Sequence, residues 1–84
     1  MDRRKLLFRL SHGSLQNVSF ADACRLAEGF GFRLVRTSGS HHIYAHHDIL
    51  ELVNLQSIGR QAKPYQIRQL LRLVERYNLR LEGE

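Results

Sequence analysis

The residues with chemistry to offer are crowded into one stretch, Gly39-Ser40-His41-His42-Ile43-Tyr44-Ala45-His46-His47, which holds four of the five histidines in the 84-residue chain. Imidazole, with an ordinary pKa of ~6.5, takes up and releases a proton near neutrality and also ligates metals. Which chemistry is open depends on conformation. On a helix, His42 and His46 would lie one turn apart on one face, a zinc-chelating spacing. On a strand, four residues at ~3.3 Å each hold the two rings about 13 Å apart, too far to share an ion whose Zn–N bonds are ~2 Å. Adjacent His41 and His42 would then point to opposite faces. The surrounding Gly, Ser, Ile and Tyr favour strand, and Cys24, the one cysteine, completes no zinc signature. Neither a metal nor another cofactor is expected.

Acid–base catalysis is the other chemistry. RNA carries its own nucleophile, the 2′-hydroxyl, so a protein cleaves it without metal by removing that proton and stabilising the charge that develops on the phosphate. One exposed histidine beside cations suffices. His41, directly after Gly39 and Ser40 at the bend of a hairpin, is the candidate catalytic residue. Arg36, Gly39, Ser40, Arg60 and Lys63 form the candidate RNA-binding set around it. The competing structural reading is that the four histidines are half-buried strand residues with no chemical role.

The rest of the chain must position this stretch. Residues 3 to 10 read as a short helix with Leu6, Leu7 and Leu10 on one side, broken by Ser11-His12-Gly13-Ser14. Ser19, with Asp22 three residues on, resembles a capping box. Phe20, Ala23, Cys24, Ala27 and Phe30 then recur at helical spacing, predicting an amphipathic helix over 19–29. Cys24 on that apolar face is expected to be a core residue. Three strands follow: Phe32 to Thr37, His41 to His46 and Leu50 to Leu55, with turns at Ser38-Gly39 and His47-Asp48. Gly59 to Lys63 reads as a basic loop. Pro64 sits where a first-turn proline is favoured, and Ile67, Leu70, Leu71, Val74 and Tyr77 mark a helix to about Asn78. These elements make an α+β domain whose helices cover one face of a three-stranded antiparallel meander and leave the other face free.

Composition sets the outer limits. Thirteen Lys and Arg against eight Asp and Glu leave a net charge of +5 and a pI near 10.1, a balance suited to a polyanion or an acidic protein partner. The length allows one small domain, residues 1–84. The start, Met1-Asp2-Arg3-Arg4-Lys5-Leu6-Leu7-Phe8, imitates a secretion signal, but Arg9 ends the apolar run far short of the ~7 to 15 residues needed. With no internal disulfide possible and no membrane-spanning stretch, a soluble, cytoplasmic protein is expected.

The segments Gly31-Phe32-Arg33-Leu34-Val35-Arg36-Thr37-Ser38-Gly39-Ser40-His41-His42-Ile43-Tyr44 and Lys63-Pro64-Tyr65-Gln66-Ile67-Arg68-Gln69-Leu70 together resemble the HicA-type toxins of bacterial toxin–antitoxin pairs. The likeness covers residues 19–79 and leaves 1–18 as an N-terminal helical extension. It implies a fold like the double-stranded-RNA-binding domain, α-β-β-β-α, ribonuclease activity on mRNA with His41 in the Gly-Ser-His motif as catalytic residue, and a HicB-type antitoxin as partner. Many members carry a Pro-x-His element after the third strand. This chain has Val53-Asn54-Leu55-Gln56 there, so a second histidine is missing. Two other functions compete: a non-catalytic RNA-binding module on the same platform, and a subunit whose charge is matched to an acidic protein.

Overall fold

The computed structural model describes residues 3–82; Met1, Asp2, Gly83 and Glu84 lie outside the described residues. Among the described residues three helices and four strands follow in the order α1 (Arg3–Ser11), α2 (Phe20–Gly29), β1 (Arg33–Ser38), β2 (His41–Ala45), β3 (Val53–Ile58), β4 (Gln61–Ala62) and α3 (Pro64–Arg76). The strands form one antiparallel meander in the order β1-β2-β3-β4, and α2 and α3 pack on one face of it. This is the α+β, double-stranded-RNA-binding-domain-like arrangement, preceded by one extra helix.

α2 begins where the sequence signals a cap. The Ser19 side chain accepts the Asp22 backbone N–H at 3.0 Å, satisfying one of the donors that a helix start leaves without a partner. Its far end depends on Gly31. At φ +95° the chain turns back so that the Gly31 N–H reaches the Glu28 carbonyl and the Phe32 N–H reaches that of Ala27. A Cβ at Gly31 would also stand 2.9 Å from Nε2 of His46, so glycine is required there twice over.

The core is a single cluster between helices and sheet. Leu6 and Leu10 of α1, Ala23, Leu26 and Ala27 of α2, Tyr44, Val53 and Leu55 of the sheet, and Ile67 and Leu70 of α3 are all buried in it. Burying each large apolar side chain contributes about 1.5–3 kcal/mol before entropy is counted. α1 is too short to be stable by itself and is held by this burial.

Strand boundaries differ from expectation where side-chain alternation was ambiguous. The third strand is Val53–Ile58, three residues later than the apolar run Leu50 to Leu55 suggests. Leu50 is 97 % exposed and Leu52 is exposed as well, so both lie in the connection before the strand. Val53 and Leu55 face the helices while Asn54 and Gln56 alternate with them. The stretch read as a basic loop contains a fourth strand. Gln61 and Ala62 pair with Ile58 and Ser57 around a tight Gly59-Arg60 turn, in which Gly59 has φ +62°. Ala62 is buried, which a solvated loop would not provide. β2 ends at Ala45, and His46, expected within the strand, follows it.

Candidate active site

The meander gathers the predicted site residues at one end of the sheet. β1 runs up to the two-residue turn Gly39-Ser40, β2 returns from it starting at His41, and β3 runs back up to the Gly59-Arg60 turn. Gly39 takes φ +60° at the first turn, and a Cβ placed there would meet nothing within 4 Å, so the position is open. Arg60 is exposed at the second turn, and its carbonyl accepts the Phe20 N–H at 2.9 Å. The start of α2 therefore also faces this end. Lys63 precedes α3 immediately after β4 and caps it without a side-chain hydrogen bond.

Register decides which side chains share a face. Directly paired residues point the same way, so Ser38, His41 and Gln56 form one row on the open face, and Arg36, Ile43 and Asn54 the next. His42, paired with Leu55, points the other way, and its ring meets Phe20 of α2 edge-on at 4.8 Å between centroids. Its buried Nδ1 has no hydrogen-bond partner among the described residues. The two neighbouring histidines are thus divided: His41 faces outward with the polar row, and His42 is packed under a helix.

On the open face, Nδ1 of His41 lies 3.3 Å from Oδ1 and 3.2 Å from Nδ2 of Asn54. Nε2 of His41 has no hydrogen-bond partner among the described residues and remains available. The Ser40 hydroxyl accepts a hydrogen bond from Nε2 of Gln56 at 3.2 Å. Gln56 in turn gives its backbone N–H to Oε1 of the buried Gln66, in the first turn of α3, at 2.6 Å. That bond ties the start of α3, and Lys63 before it, to the residue facing His41. Asn54 and Gln56 were not singled out from the sequence; the missing signal was the register of β3, which alternation alone left open.

Arg36, Arg60 and Lys63 form no ion pair with a carboxylate among the described residues. Lys63 is 5.8 Å from the centre of the Tyr65 ring. Among the described residues these unpaired cations give that end of the sheet a positive character.

The remaining histidines lie elsewhere. The rings of His46 and His47 stack at 4.8 Å, and possible ligand atoms of His46, His47 and Asp48 fall within 4.8 Å of one another. However, Nδ1 of His46 accepts the Asp48 backbone N–H at 3.1 Å. The neutral ring then carries its proton on Nε2, leaving no lone pair there for a metal. His12 packs on Phe8 at 4.3 Å and lies against the Phe8 carbonyl, closing the end of α1. Cys24, half-buried, has its thiol pushed up by burial, which is the setting of a core residue and not of a nucleophile. Among the described residues no helix is long and apolar enough to cross a membrane.

Fold and site together define a small α+β protein of the double-stranded-RNA-binding-domain type with a histidine presented at a cationic sheet end. Residues 20–75 match the family model described as the HicA toxin of bacterial toxin–antitoxin systems, and the chain belongs to that family. It is therefore the toxin component of such a system, whose partner is an antitoxin. No curated protein is similar enough to be matched to it.

Proposed function

We propose that this toxin is a metal-independent endoribonuclease that cleaves mRNA in the cytoplasm with His41 as its proton-transfer residue, and that a HicB-type antitoxin restrains it. The observation that supports this most is the outward-facing imidazole of His41, held at Nδ1 by Asn54 and, among the described residues, free at Nε2, in the same sheet end as Arg36, Arg60 and Lys63, which form no ion pair among those residues. Nε2 takes the proton of a ribose 2′-hydroxyl as O2′ attacks the adjacent phosphorus. The O2′–P bond forms and the P–O5′ bond breaks, leaving a 2′,3′-cyclic phosphate. The departing O5′ takes a proton from water or from the imidazolium. Arg36, Arg60, Lys63 and the amides beside Gly39 and Ser40 meet the charge that builds on the phosphate oxygens.

The test is direct. His41→Ala abolishes RNA cleavage and growth inhibition while leaving the circular dichroism spectrum unchanged; full retained cleavage overturns the assignment. Incubation with RNA in EDTA leaves cleavage intact, and its loss would bring back a metal. The second reading, a non-catalytic RNA-binding module, is favoured by the missing second histidine: Val53-Asn54-Leu55-Gln56, expected after the third strand, lies inside β3 and holds no Pro-x-His element. RNA bound by the purified wild-type protein but never cut would establish it.

A further inference from the structure

We infer that Asn54 is the positioning residue for His41, acting through its side-chain carbonyl to hold the proton of the imidazole on Nδ1 and so keep Nε2 as the reactive atom. The inference rests on the reading of His41 as the proton-transfer residue and extends it to a residue that neither the motif nor the charge pattern picks out.

Geometry alone leaves two arrangements. Oδ1 and Nδ2 of Asn54 lie at almost equal distances from Nδ1 of His41, 3.3 and 3.2 Å, so the amide bonds the ring whichever way it is turned. An amide presents a donor on one side and an acceptor on the other, and its orientation follows from the hydrogen-bond network. Chemistry selects between them. If Nδ2–H donates to Nδ1, the neutral ring carries its proton on Nε2, where it is neither a base nor a useful acid. If Oδ1 accepts from Nδ1–H, the neutral ring has its lone pair on Nε2 and serves as a base. Once protonated on Nε2, the imidazolium keeps the same Nδ1–H···Oδ1 bond and serves as an acid. Both working states therefore need an acceptor at Nδ1, and Oδ1 of Asn54 is the side-chain acceptor in place there.

The backbone makes this contact specific. Asn54 is paired with Ile43 and lies diagonally across from His41 on the same face, within reach of a long side chain. One residue earlier or later on β3, the side chain would point into the core, as those of Val53 and Leu55 do. A flexible exposed imidazole has no such preference, and neutral histidine in water favours the proton on Nε2, the unproductive form. Asn54 reverses that preference without adding a negative charge that would repel the phosphate.

The experiment compares wild type, Asn54→Leu and Asn54→Asp by two readouts. The imidazole ¹⁵N shifts of His41 report its tautomer, and single-turnover cleavage of RNA separates the chemical rate from binding. Wild type is expected to hold the Nδ1–H form. Asn54→Leu moves His41 toward the Nε2–H form and lowers the rate at saturating RNA roughly three- to ten-fold, the loss of one net hydrogen bond, with KM little changed. Asn54→Asp, which can only accept, keeps the Nδ1–H form and holds the saturated rate within about three-fold of wild type, its added charge appearing as a raised KM. An Nε2–H tautomer in wild type, or an unchanged tautomer in Asn54→Leu, overturns the inference. The tautomer is read without substrate, so it decides the role of Asn54 even if wild type cuts no RNA, in which case the nuclease reading alone falls. Should Asn54→Leu fold poorly by circular dichroism, Asn54→Ala carries the same comparison.

Discussion

Gln66, buried in the first turn of α3, accepts the backbone N–H of Gln56 on β3 at 2.6 Å. This bond is the joint between the helix that Lys63 caps and the strand that faces His41. A neutral apolar replacement, Gln66→Leu, leaves the Gln56 N–H without a partner. It is expected to destabilise the fold by about 1–3 kcal/mol, measured by urea denaturation, and to lower RNA cleavage at a temperature where the variant is still folded. A variant as stable as wild type would remove Gln66 from its place as a joint.

The split between the two adjacent histidines has its own signature. His41→Ala and His42→Ala are expected to fail differently. The first loses cleavage without loss of stability, because its side chain lies on the open face. The second loses stability, because its ring packs against Phe20 between helix and sheet. Thermal melts and cleavage assays on the pair check this, and the reverse pattern would exchange their roles.

Charge at the sheet end predicts salt dependence. Neutralising any one of Arg36, Arg60 or Lys63 is expected to weaken RNA binding across sequences. If that residue contacts a phosphate, the slope of log K against log salt should fall by about 0.7–0.9 for the charge removed. Fluorescence anisotropy at several salt concentrations measures both. An unchanged slope places the substituted residue outside the RNA path.

Glu51 supplies a pH dependence. The Tyr77 hydroxyl lies 2.7 and 2.8 Å from its carboxylate oxygens and Arg76 lies 3.1 Å from one of them. The Tyr77 bond first, and the Arg76 guanidinium with it, hold the carboxyl below its usual range. A carboxyl depressed in the folded state contributes stability above its unfolded value, and that contribution is lost as pH falls through the folded one. The difference in Tm between wild type and Glu51→Gln is therefore expected to shrink as the solution is acidified below the ordinary carboxylate range. A gap independent of pH would show that the latch does not depend on ionisation.

Core truncation gives the last expectation. Leu55 is 0 % exposed beneath α2 and α3, and Leu55→Ala is expected to cost about 2–5 kcal/mol. Chemical denaturation measures it, and a cost under about 1 kcal/mol would mean that the core closes around the gap.

Much of this protein is local and so was legible in the chain. The cap at Ser19, the helical spacing from Phe20 to Phe30 and from Ile67 to Val74, the proline opening α3 and the Gly39 turn each depend on residues within a few positions of one another. The opposite directions of His41 and His42 follow from the pleat of any strand. Other features depend on pairing between distant segments, which no local pattern specifies. The apolar run from Leu50 to Leu55 allowed two registers, and the choice of Val53 as the first strand residue was made by burial against α2 and α3. That choice alone put Asn54 beside His41. β4, only two residues long, exists because Ala62 and Gln61 find partners in β3. Residue types and local spacing set which side chains were able to act and how each short segment folds. Which of them meet was settled by packing, because hydrogen-bond register and burial are properties of paired strands and packed layers and not of any one segment.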